Sequence, residues 1–126
     1  MTSTTLLLRQ IHPNFVQEGF ASSVAFRPNE SDKGLLSAYN GDLITPEASW
    51  NHFTTVSKKK SVGATALMFD ECAAESLPAR PDPVPFPEHA VIDFTGVDER
   101  HWRTKSKKLQ ARARARGWSY RASAAG

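Results

Sequence analysis

Cysteine is nearly missing from the chain: Cys72 is the single one in 126 residues. An intramolecular disulfide is therefore impossible, and so is a zinc site built from Cys-x-x-Cys pairs. Small secreted domains usually carry several bridges, so a lone thiol points to a reducing compartment. Long apolar runs are missing too. The longest are Leu6–Leu8 and Ala64–Phe69, far short of the ~20 residues that cross a bilayer as a helix. The opening stretch Met1–Leu8 has no basic segment ahead of its leucines, unlike a secretory leader. These features set the expectation of a cytoplasmic bacterial protein that makes no use of a membrane.

Glycine is sparse and dispersed, with seven in all. No glycine-rich loop is available to cradle phosphates, which argues against an NTPase or a dinucleotide enzyme. Ser22-Ser23 lacks the flanking glycines of a nucleophile elbow. Acidic residues are absent from one whole region. Residues 100–126 hold nine Lys/Arg and no Asp or Glu, a net of +9, whereas residues 1–99 hold seven Lys/Arg against thirteen Asp/Glu, a net of −6. Such a split points to nucleic acid, a charged surface or an acidic partner, or to a basic segment folded on its own acidic body.

What is present reads as one small globular domain over 1–118, followed by a mobile tail at 119–126. Apolar residues make up 40% of the chain and charged residues 23%, close to the usual soluble composition. Strands are expected at 5–11, 22–27, 35–39, 62–69 and 89–94, where β-branched and apolar residues cluster or alternate. Thr45-Pro46-Glu47 supplies a capping hydroxyl, a proline at the first helical position and an acid in the first turn, so a short helix should run on to Thr54. Asp70 is a candidate cap for a second short helix at 71–77. Residues 78–88 carry five of the eight prolines and read as a stiff polyproline-like spacer or sheet edge. The expected fold is α+β, an antiparallel or mixed sheet with helices to one side.

The last element is the clearest. Asp98 caps it, Glu99 sits in its first turn, and Gly117 stops it. A helix over 99–116 spans ~27 Å. At 100° per residue Trp102, Ser106, Leu109 and Ala113 form one narrow stripe. Arg103, Lys107 and Arg114 flank it on one side; Lys105, Lys108, Arg112 and Arg116 flank it on the other. These seven are the candidate residues for contacting nucleic acid or an acidic protein surface, since Lys and Arg meet phosphates and carboxylates without reading sequence.

The four histidines, His12, His52, His89 and His101, have no spacing that suggests a metal site, and no cofactor is expected. His12 and His89 stand at the edges of expected strands and are the candidates for acid/base chemistry of the kind a small nuclease-like toxin uses. Cys72 reads as a buried structural residue. The favoured reading is a non-enzymatic accessory protein acting through the basic helix. A histidine-dependent hydrolase and an immunity or antitoxin protein that blocks a partner are the alternatives.

Overall fold

A computed structural model describes residues 1–122. The fold is α+β, built on a six-stranded sheet whose strands all pair antiparallel. In chain order the elements are β1 (Leu6–Gln10), β2 (Val16–Gln17), β3 (Phe20–Ala21), β4 (Leu35–Asn40), α1 (Pro46–Asn51), β5 (Gly63–Met68), α2 (Phe69–Ala74), β6 (Ala79–Pro81), β7 (His89–Asp93), α3 (Trp102–Arg116) and β8 (Tyr120–Arg121). The sheet order is β6-β7-β4-β1-β5-β8, with β2 and β3 forming a separate small hairpin. No helix among the described residues is long and apolar enough to cross a membrane.

Strand alternation assigns side chains to the two faces of the sheet. Leu7 of β1, Ile11 just after it, Leu36 of β4, Leu67 of β5 and Ile92 of β7 are fully buried on one face. There they meet Phe26, Phe94, and Leu109 and Ala113 of α3. The opposite face carries Leu6, Leu8, Tyr39 and Ala66, and packs Ile44, Phe53 and Phe86 against them. The helices therefore lie on both faces, not on one side as the sequence suggested. α1 covers the second face because Ser49 is drawn down onto Gln10, whose amide donates to the Ser49 hydroxyl at 2.8 Å.

Several segments differ from the sequence reading for identifiable reasons. Residues 23–26 form a 3₁₀ turn, not a strand. Their backbone bonds are local, Ala25 N–H to the Ser22 carbonyl at 3.1 Å and Arg27 N–H to the Val24 carbonyl at 3.3 Å, which leaves no ladder for a strand partner. The half-buried Arg9 holds this turn by donating through Nε to the Ala25 carbonyl at 2.8 Å. α2 begins at Phe69, before the expected cap at Asp70. The Glu71 carboxylate reaches back to the Met68 N–H at 2.8 Å, while the Asp70 N–H is taken by the Ser3 carbonyl. α1 does not run on as α-helix to Thr54; it passes into a π turn over His52–Val56, closed by the Ser57 N–H on the His52 carbonyl. The proline-rich segment contributes an edge strand, β6, with three prolines following it at 83, 85 and 87 outside the ladder. Tyr120 and Arg121, expected within a loose tail, pair with Ala64 and Gly63 as β8. Gly63 is required there, since a methyl group would overlap the Tyr120 carbonyl. The rest of the expected tail, 123–126, lies outside the described residues.

The C-terminal helix matches its reading closely. Asp98 accepts from the Arg100 N–H, a 3₁₀ turn covers Glu99–His101, α3 follows, and Gly117 ends it at φ 84°.

Candidate functional site

α3 is seated on the sheet by its apolar stripe. Ser106, Leu109 and Ala113 are fully buried, and Trp102 packs beside them with its indole N–H on the Val97 carbonyl at 2.9 Å. The helix cannot rotate without exposing Leu109, so the orientation of both basic flanks is set by this stripe.

The two flanks fare differently. On one, Lys105 and Lys108 stand 3.4 and 3.6 Å from Glu75. Arg116 makes a two-pronged contact with Glu71 at 3.0 and 3.1 Å, and Arg112 is 4.0 Å from the same carboxylate. Arg116 also donates to the Ala66 carbonyl at 2.9 Å, tying helix to sheet. Burial alone pushes the Glu71 carboxyl up, but the Arg116 and Met68 hydrogen bonds and the charges of Arg116 and Arg112 together outweigh it, and the group sits below its ordinary value. Four of the seven candidate residues are thus turned onto the protein's own acids, because α2 places Glu71 and Glu75 one turn apart beside α3.

On the other flank, Arg103, Lys107 and Arg114 are exposed. Among the described residues no carboxylate lies within 4.0 Å of any of them. They span roughly 16 Å along the helix. Beyond Arg114 the positive stripe continues over aromatic rings. The Arg114 guanidinium lies 6.0 Å from the Phe20 ring, Phe20 is 5.3 Å from Trp118, and Arg121 is 4.4 Å above Trp118. Each cation sits within reach of a ring face or its neighbour.

No family model, curated protein or solved structure matches the chain.

The histidines are scattered to different tasks. The His12 ring accepts from the Asn14 N–H at 3.0 Å and caps the 3₁₀ turn Pro13–Phe15. It lies two strands over and four residues along from the β4–β7 pair that holds His89, roughly 16 Å away by strand geometry. The two do not form one acid/base pair. His89 instead joins groups that spacing did not reveal. Its Nδ1 lies 2.9 Å from the Asp82 carbonyl and 3.4 Å from the Asp82 carboxylate. Its Nε2 lies 3.2 Å from the Ser37 hydroxyl. Next to it, the Tyr39 hydroxyl is 2.8 Å from His52 Nδ1. Burial pushes the Tyr39 phenol up to about 12, with the charge of Glu88 adding to the effect. The phenol therefore stays protonated near neutral pH. Phe86 is held against all three rings, at 5.1 Å from Tyr39, 4.4 Å from His52 and 5.3 Å from His89.

Ser37, Tyr39, Phe86 and His89 line a cleft of about 300 Å³ on the second face of the sheet, between Phe53 and Lys59 on one side and the Pro85–His89 segment on the other. The single legible signal was the Ser37-x-Tyr39 alternation. The β4–β7 register, which sets Tyr39 opposite His89, brings the rest together. Cys72 is fully buried, and burial, with Glu71 adding, pushes its thiol up to about 12, so it is unreactive. Among the described residues no group of three or more His, Cys, Asp or Glu is placed to hold a metal ion.

Proposed function

We propose that this protein is a small accessory protein that binds nucleic acid through the outer flank of α3, with Arg103, Lys107 and Arg114 on the phosphate backbone and Arg121 extending the stripe. The observation that carries this reading is the absence, among the described residues, of acidic partners along that flank, beside a second flank whose four cations are held by Glu71 and Glu75. Unneutralised cations at helical spacing give sequence-independent phosphate contacts. The partly exposed Trp118 ring beneath Arg121 adds a surface that suits an unpaired base better than a duplex groove. The same reading sets the protein in the bacterial cytoplasm, where the Cys72 thiol stays reduced. An acidic protein surface is the second reading, supported by the way α3 already receives carboxylates on its other flank.

The test is binding of single-stranded and structured RNA and of duplex DNA across roughly 50–300 mM salt. Three phosphate contacts give a log–log slope near ~−2.1 on single strands and ~−2.7 on duplex. Substituting Arg103, Lys107 and Arg114 together by Gln should remove that slope. Lack of binding at the lowest salt would defeat the nucleic-acid reading and leave the acidic protein surface, to be tested by cross-linking to purified acidic candidates. Cutting the chain before α3 is unsuitable, because Leu109 and Ala113 belong to the core.

A further inference from the structure

We propose that the cleft on the second sheet face is a hydrolytic site in which Ser37 is the nucleophile and His89 its general base, acting on small esters or thioesters with an aromatic or apolar acyl group. The geometry is independent of α3. His89 Nδ1 faces the Asp82 backbone carbonyl at 2.9 Å, an oxygen that only accepts. The proton of the neutral ring therefore resides on Nδ1, and Nε2 presents its lone pair to the Ser37 hydroxyl at 3.2 Å. The Asp82 carboxylate, 3.4 Å from Nδ1, stabilises the imidazolium that forms on proton transfer. The arrangement is a nucleophile, a base and an orienting group in sequence.

The surroundings suit a substrate. Ser37 is exposed, so its oxygen is reachable, while the His89 side chain is only 12% exposed and held in place. From the opposite face Arg9 donates to the Ser37 carbonyl at 2.8 Å and pins the strand. Phe53 and Phe86 form apolar walls, and Lys59 brings a positive charge to the rim. The wall beside it contains the π turn and Lys58 at φ 54°, conformations that concentrate at functional sites.

Ser37 Oγ bonds to the acyl carbon as its proton passes to His89 Nε2. The tetrahedral intermediate, its oxyanion offset by Lys59, expels the alcohol or thiol, which leaves with that proton. Water then attacks the acyl-Ser37, giving a proton to His89, and the carboxylic acid departs as the proton returns to Ser37 Oγ. The net reaction is ester plus water to acid plus alcohol.

The test treats the full chain with an aryl fluorophosphonate and follows intact mass, the fluoride leaving as Ser37 is phosphonylated. A single adduct mapped to Ser37 is expected, slowed roughly 100-fold by His89→Gln and unchanged by His12→Ala. Lack of an adduct on Ser37, or equal labelling of a folded His89→Gln variant, overturns the proposal. Ser37→Cys gives a second measurement that leaves His89 in place. Its thiol should be alkylated by iodoacetamide roughly tenfold faster than a free thiol at neutral pH, and an unaccelerated rate also overturns it.

Discussion

The two flanks of α3 carry the same kind of charge, four cations on one and three on the other, and end in opposite electrostatic states. Lys105, Lys108, Arg112 and Arg116 meet Glu71 and Glu75. Arg103, Lys107 and Arg114 look outward beside the 3₁₀ turn at 23–26 and the β2–β3 hairpin, and Arg114 lies over the Phe20 ring. The apolar stripe between them decides which flank faces α2. A basic helix is therefore two objects here: a clamp that holds the protein together, and a surface left over for something else.

Breaking the seam should have the largest effect. Leu109→Ala removes a fully buried side chain and is expected to cost ~2–5 kcal/mol, read as a fall in the urea midpoint. Glu71→Gln strikes the clamp. It weakens the contact with Arg116 and the cap on Met68, and the expected loss is about 1–2 kcal/mol, since hydrogen bonds to charged groups are the stronger ones and Arg116 is partly exposed.

Acid should act through the same residue. The folded-state value of Glu71 lies below the ordinary 4.5, so the unfolded chain binds the proton more readily. The stabilisation is complete above about pH 5 and is lost as pH falls through the depressed folded value. Asp93 is also held low, first by the Thr95 hydroxyl and also by Arg80, so it adds to the same window. Unfolding midpoints should be level near neutrality and fall as pH drops through that window, and Glu71→Gln should make the fall shallower. A fall of unchanged depth in that variant would remove Glu71 from the account.

The smaller clamp residue gives a smaller effect. Glu75→Gln loses ion pairs with Lys105 and Lys108 at 3.4 and 3.6 Å, one of them well exposed, and is expected to cost under ~1 kcal/mol by thermal melting. On the free flank, Arg103→Gln, Lys107→Gln and Arg114→Gln should each leave stability within ~0.5 kcal/mol. If all three prove costly to folding, the flank is part of the clamp and the contrast between the two sides disappears.

Much of α3 was legible because helix signals are local. Asp98, Gly117 and the Trp102–Ser106–Leu109–Ala113 stripe lie within one stretch of chain, and each acts on its near neighbours. The strands around Leu7, Leu36, Leu67 and Ile92 were legible for the same reason. The segment 22–27 misled because its alternation resembles a strand, while burial of Ala25 and Phe26 and the Arg9 contact come from distant chain. β8 was missed because two residues carry little pattern; its existence depends on the close approach allowed by Gly63. The cleft was legible only as isolated residues. Ser37, His52, Asp82 and His89 come from different segments, and His12 drew attention by its strand-edge position although it serves as a cap.

By itself the sequence determined an α+β class, a lone cysteine, and a long C-terminal helix with one apolar stripe and two basic flanks. Local propensity, capping and charge are properties of neighbouring residues, so no packing is needed to see them. Only the tertiary structure decided which flank would be neutralised, that Tyr39 would stand opposite His89, and that Ser37 would face an oriented imidazole. Those outcomes depend on strand register and on where α2 and the Pro85–His89 segment are placed, and such long-range pairings leave no periodic trace along the chain.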